Sequence, residues 1–362
     1  MHSKNSYPDV GYVPYSSNLS HPADRRRIGA WAKYRKVRLN TNHPEKSDIT
    51  VLSNAANFGK WMSKCEGKIV LDLVDGYLGE EPSFTKDFLR NCLRTLNGTS
   101  SLRWITYTRH VRYACMGADA IVVASQEQLQ SIAHLNNRIS IIPDIHFEIE
   151  SAAKEMHTNS EQANRVHQNI SIFWEGFGYT LKNLESIAIP LDNFLSETMS
   201  TLYLVTNVRF PRWGGFLGRI DTKNLVNSWF PKSSNLVEII PWSIENLIMY
   251  SKKSNFGIIP INLNDKFAML KSENKLLSMW RLGLVTFFSP IPSYSRVALN
   301  AGLKDFCIAD NQWEEVLRSV ASKRIDFEKS QNLAAVFLEE NYSFEGLLSK
   351  WDIMLRGVAS YD

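Results

Sequence analysis

The stretch FGIIPINLNDKFAMLKSENKLLSMWRLGLVTFFS fills residues 256–289 and decides the architecture. FGIIPI (256–261) is a short apolar run of strand length. From 271 to 282 the apolar side chains fall at 276, 277, 279, 280 and 282, a broad helical face. Gly283 stands just past the last turn, where glycine commonly ends a helix. LVTFF (284–288) then reads as a second buried strand. Strand, helix and strand with all-apolar strand centres form one unit of a parallel sheet covered on both faces. The helix start carries Lys271, Asn274 and Lys275. Cations sit badly at the positive end of a helix dipole, whereas an anion sits well there. Two readings fit: a solvated first turn with Glu273 offsetting one lysine, or a site for a phosphate.

The same alternation runs along most of the chain. Strands are expected at 9–15, 48–53, 68–74, 119–125 and 139–143, with helices at 22–38, 54–64, 83–96, 103–116 and 126–135. Residues 144–168 are polar with no strand signal. The alternation restarts with strands at 171–175, 201–206, 236–241, 256–261, 284–288 and 305–309. Helices are expected at 181–197, 243–252, 271–282, 293–301, 311–322, 326–340 and 343–357, and glycine-rich 207–221 reads as a loop. The fold class is α/β, in two doubly wound Rossmann-like domains: 1–150, a linker at 151–168, and 169–341, with 342–362 as a terminal helix. In such sheets ligands bind outside the carboxyl ends of the strands, so the chemistry belongs on loops that follow strands.

The 362 residues exceed one ordinary core, and a net charge of +4 is mildly basic. No basic patch interleaved with aromatics forms a nucleic-acid motif. The four cysteines lie too far apart in sequence for a CxxC clip, so neither a disulfide framework nor a zinc site is expected, and a cytoplasmic setting is the simplest. The first residues hold no apolar signal segment, and no apolar run reaches membrane-spanning length.

Four segments together resemble the GT-B glycosyltransferases near glycosyltransferase family 4. The helix at 271–283 is similar to their K-x-x-N-K-x-x-E-x-x-x-x-G pattern, with Lys271, Asn274, Lys275 and Gly283 in register. GADAIVVASQEQLQSIAHLNNRISIIPD (117–144) resembles the end of their first domain. ISIFWEGFGYTLKNLESI (170–187) resembles the opening of the second, with Gly176 and Lys182 in place. VEIIPWSIENLIMYSKKSNFGIIPI (237–261) matches a further segment. The resemblance implies two Rossmann-like domains facing a cleft and a nucleotide-diphosphate sugar held mainly by the second. Gly176, Lys182, Arg209, Lys271, Glu273, Asn274, Lys275 and Ser278 are then the donor-binding candidates. It implies no metal and no cofactor beyond that donor substrate, and the terminal helix is expected to return to the first domain. One departure stands out: the paired glutamates of retaining members would fall at Leu270 and Ser278.

The loop and helix after the first strand, SSNLSHPADRRRIGAWAKYR (16–35), would face the acceptor, with Ser17, Asn18, Arg25 and Arg26 as candidates. Three consecutive arginines spread around a helical turn, so they read either as a solvated basic face or as a grip on a lipid-linked acceptor or an anionic membrane. Asp75, at the end of the third strand, and His21, in the acceptor-side loop, are the candidate catalytic bases; Asp72 reads as a core residue. The expected activity is that of a metal-independent hexosyltransferase. It would move a sugar to a saccharide or lipid-linked acceptor in surface polysaccharide or glycoconjugate biosynthesis, in the cytoplasm and peripheral to the membrane. A non-catalytic binding protein or a nucleotide-sugar 2-epimerase on the same fold is the alternative.

Overall fold

A computed structural model describes residues 7–78, 84–100, 106–150, 170–211, 218–322 and 325–360. The expected linker at 151–168 lies outside them. The chain forms two compact units. The first comprises Met1–Ile145, Met269–Asn274 and Tyr342–Asp362, and the second His146–Ala268 with Lys275–Asn341.

In the first unit β1 (Val10–Val13), β2 (Ile49–Ser53), β3 (Lys68–Leu73), β4 (Ala120–Val123) and β5 (Ile139–Ile141) lie in that order, every neighbouring pair parallel. On the other edge of β1 stands a lone bridge at Asn40, whose carbonyl accepts from Tyr12 N–H (3.0 Å) and whose N–H donates to Val10 (2.9 Å). The chain therefore leaves β1 to one side and returns on the other to β2. The sheet reverses at β1. One face packs through Leu52, Ile69, Leu71, Ile121 and Val123 onto α3 (Phe58–Lys64) and α5 (Tyr107–Gly117).

α1 (Pro22–Arg25) and α2 (Ile28–Arg35) replace the single helix expected over 22–38. The break falls at Arg27, which leaves helical geometry (φ −124°, ψ −119°). Its guanidinium is fully buried: Nε donates to Asp72 (2.7 and 3.0 Å), Nη1 to Ile142 O (2.8 Å) and Asp144 (3.2 Å). A buried charge must be paired, and here one arginine meets two carboxylates. Arg27 is thus no part of a solvated face. The remaining first-unit helices are α4 (Phe84–Leu96), α6 (Gln126–Ile132) and the terminal Phe344–Ala359. That terminal helix packs on α2: Trp31 Nε1 donates to Asp352 (2.7 Å), and Arg35 pairs with Asp352 and Glu345.

In the second unit the order is β10 (Val237–Pro241), β7 (Thr201–Thr206), β6 (Ser171–Glu175), β11 (Phe256–Ile259), β12 (Thr286–Phe288), again all parallel. The chain fills one side of β6 first and then the other, so this sheet reverses at β6. The helices here are Ala188–Thr198, Thr222–Trp229, Ile244–Lys252, Asn274–Arg281, Pro292–Asn300, Trp313–Ala321 and Phe327–Tyr342.

Three expectations for this unit change. Within the span expected as a loop, β8 (Arg209–Pro211) pairs antiparallel with β9 (Arg219–Asp221). Asp221 then caps the unexpected helix Thr222–Trp229 by accepting from Lys223 N–H (3.0 Å). The strand expected at 305–309 is instead a 3₁₀ turn, Lys304–Phe306. Its i→i+3 bonds use the backbone groups a strand would pair, leaving one bridge, Cys307 to Phe288. Over 178–187 a 3₁₀ segment precedes the α-helix, which begins at Ala188.

Candidate active site

In the second unit the reversal point is built around Gly176, which directly follows β6. Its N–H donates to Val205 O (3.2 Å) and its carbonyl accepts from Thr206 Oγ1 (2.7 Å), fixing the turn. Gly178 N–H donates to Asn207 Oδ1 (3.0 Å). Lys275, in the first turn of Asn274–Arg281, lays its ammonium 4.5 Å from the ring centre of buried Trp174. A cation over an indole face is attracted by the ring quadrupole, and this contact places the charge. A Cβ on Gly176 would come within 3.0 Å of Lys275 Nζ, 3.0 Å of Trp174 and 2.8 Å of Thr180 Oγ1. Glycine is what lets the ammonium approach the strand end. The structure thus brings together Gly176 and Lys275, about a hundred residues apart in sequence. Lys182 is exposed on the 3₁₀ segment that follows. Arg209 is exposed on β8 and pairs with Asp221 (3.2 Å). Ser278 is buried one turn further along the Lys275 helix.

Three further donor candidates, Lys271, Glu273 and Asn274, lie on the segment that leads into this helix. The expected helix start at Lys271 is not helical; the helix begins at Asn274, and Met269–Asn274 belongs to the first unit. This inserted segment is tied down there. Gln128 Nε2 donates to Leu270 O (3.2 Å) and Val74 O (3.1 Å), Asp144 N–H donates to Asn274 Oδ1 (3.0 Å), and Tyr342 O–H donates to the buried Glu273 carboxylate (2.9 Å). Leu270 packs on Gly76 so closely that a Cβ there would meet its Cβ at 2.4 Å.

Lys271, on this segment, acts electrostatically on Asp75. Burial pushes the Asp75 carboxyl above the usual range, while Lys271, Tyr77, Arg27 and His21 oppose the shift. His21 follows the strand that forms the other reversal point. Its ring stacks on Tyr15 (4.7 Å), whose hydroxyl lies 3.5 Å from that of Tyr77. His21 Nδ1 accepts from Ala23 N–H (3.2 Å), so the capping ring is neutral. Its pKa lies below the ordinary value, chiefly through burial. Asp24 draws the loop together by accepting from Tyr12 O–H (2.7 Å), Tyr15 N–H (2.8 Å) and Ser16 N–H (3.0 Å). The catalytic candidates His21 and Asp75 therefore share one cluster with Tyr15, Tyr77 and Lys271. Ser17 and Asn18 are exposed on the same loop, with Asn18 accepting from Ser20 N–H (3.1 Å). Arg25 and Arg26 are half-buried at the end of α1.

Sequence reasoning missed Trp174, Thr180, Tyr15 and Tyr77. Strand periodicity assigns Trp174 to a core, and nothing in a lone aromatic says which cation lies on its face. The Asp75-x-Tyr77 spacing was the available signal for Tyr77. Among the described residues no three His, Cys, Asp or Glu side chains group as metal ligands.

Solved structures share this fold. A glycosyltransferase from Rickettsia africae is 13% identical with a TM-score of 0.56, the match covering 99% of this chain and 100% of that one. An α,α-trehalose-phosphate synthase (UDP-forming) from Burkholderia xenovorans is 13% identical with a TM-score of 0.55, covering 87% and 75%. The chain has the GT-B fold. TarM from S. aureus, in a complex that includes UDP, is 8% identical with a TM-score of 0.56, covering 85% of this chain and 55% of TarM. No protein-family model and no curated protein matches the sequence. The GT-B fold was legible because its two reversing sheets leave a strand–helix rhythm that survives at such low identity. No helix among the described residues is long and apolar enough to cross a membrane.

Proposed function

We propose that the protein transfers a sugar from a nucleoside-diphosphate donor to a hydroxyl of a saccharide or lipid-linked acceptor. The observation that carries the proposal is Lys275, its ammonium held over Trp174 against Gly176 where the second sheet reverses. That is the position where α/β sheets bind ligands, and a lysine there is a point charge for a phosphate. The glycosyltransferases that share the fold support the reading.

In the transfer, the acceptor hydroxyl oxygen forms the new bond to the anomeric carbon, and the bond from that carbon to the diphosphate oxygen breaks. The nucleoside diphosphate leaves with the bonding electron pair. Lys275 stabilises the charge that develops on it, with Lys182 and Arg209 as further cationic candidates. Asp75 takes the proton lost by the acceptor hydroxyl. Its raised pKa makes it a stronger base than an ordinary carboxylate, and Lys271 opposes that rise. Neutral His21 is the second base candidate in the same cluster. Lys271, Glu273 and Asn274, expected to bind the donor, act in this reading by fixing the segment that leads into the Lys275 helix. Ser17, Asn18, Arg25 and Arg26 form the acceptor-side loop, and a lipid phosphate would meet the two arginines.

Calorimetric titration with UDP, GDP and ADP tests the donor site. One nucleotide should bind saturably, and Lys275→Ala should weaken it at least tenfold, about 1.4 kcal/mol. Absence of binding by all three, or an unchanged affinity in the variant, would overturn the reading.

A further inference from the structure

The helix Phe84–Leu96 is turned with its polar side inward. Its buried residues are Asp87 and Asn91. Phe84, Leu89, Leu93 and Leu96 are instead 71, 54, 37 and 81% exposed. Residues 89, 93 and 96 follow helical spacing, so they form one outward stripe. The orientation is held by specific bonds. Asp87 accepts from Thr108 N–H (3.0 and 3.2 Å), Asn91 Oδ1 accepts from Ser100 Oγ (2.9 Å), and Arg94 donates to Asn54 O (2.9 Å). Rolling the helix to bury its leucines would strand these groups. Each large apolar side chain left in water forgoes the free energy of burial, so the stripe is costly unless something covers it.

The charge around the stripe says what that is. On this helix and its neighbour Tyr107–Gly117 the exposed charged side chains are Lys86, Arg90 and Arg109, all cations, while the one acid, Asp87, is buried. The neighbouring helix adds an exposed row of its own at Arg109, Tyr113 and Met116. We propose that the helix Phe84–Leu96 lies on an anionic lipid surface, with Leu89, Leu93 and Leu96 entering the headgroup–acyl boundary and Lys86 meeting lipid phosphates. Leucine on one side and cations beside it are what an interfacial helix needs. A second copy of the chain fits less well, because two such basic faces would repel. The helix belongs to the first unit and Lys275 to the second, and the inference does not rest on sugar transfer.

Vesicle flotation of the full chain tests it. The protein should float with phosphatidylcholine vesicles containing one-third phosphatidylglycerol and stay behind with pure phosphatidylcholine, and high salt should release it. Lys86→Ala should weaken binding about fivefold. The triple variant Leu89→Ser, Leu93→Ser, Leu96→Ser should weaken it at least tenfold while its thermal unfolding and nucleotide titration stay unchanged. Three outcomes overturn the proposal: no flotation of the wild type, equal flotation of the triple variant, or a dimer in sedimentation that the triple variant dissolves.

Discussion

The loop after β1 and the loop after β6 occupy the same place in their sheets, each where the sheet reverses, yet they treat charge in opposite ways. Around the first, charges are buried and bonded: Arg27 lies between Asp72 and Asp144, and Asp24 knots the loop through four donors. Around the second, Lys182 and Arg209 are exposed, and Lys275 lies along an indole face. The first loop is organised before any ligand arrives. The second presents cationic charge for which a diphosphate is the natural complement.

The contrast breaks most visibly at Arg27. Arg27→Met leaves two buried carboxylates without their partner and should cost about 3–5 kcal/mol, measured by urea unfolding. Lys182→Met and Arg209→Met should stay within about 0.5 kcal/mol in the same assay, because their charges are solvated. A comparable cost at all three positions would erase the distinction. Gly176→Val places a side chain where Lys275 Nζ lies and should raise the nucleotide dissociation constant more than tenfold, about 1.4 kcal/mol by calorimetry.

Two smaller effects sharpen the picture of the first loop. Lys271 opposes the upward shift of Asp75, so Lys271→Met should raise that pKa further. If Asp75 acts as the base, the acid limb of kcat/KM then moves to higher pH, whereas a purely structural lysine would lower activity equally at every pH. His21 caps α1 in its neutral form, and its pKa is depressed in the folded state. Its contribution is therefore present above the ordinary value near 6.5 and lost as pH falls through the folded value. His21→Ala should cost about 0.5–1 kcal/mol at neutral pH and less in acid, read from urea unfolding at both.

The parallel strands were legible because each has an all-apolar centre: β6 and β7 fall at 171–175 and 201–206 as expected. What was illegible depends on partners distant in sequence. Arg27 looks like the third member of a surface run, and only Asp72 and Asp144 explain why it turns inward. Lys271 fits a donor motif by register, but the helix that would carry it starts three residues later, after Glu273 and Asn274 have engaged Tyr342 and Asp144. Gly176 and Lys275 were each donor-binding candidates by resemblance; their closeness, and the Trp174 ring beneath the ammonium, depend on contacts distant in sequence.

The first unit owns the last helix of the chain, and that has a consequence for synthesis. A ribosome that has delivered all five strands of the first sheet has not yet made Asp352, the partner of Trp31 and Arg35, or Tyr342, the partner of Glu273. Domains usually fold in order as they emerge. Here the first unit is completed only after the second has been translated, because Phe344–Ala359 belongs to the first.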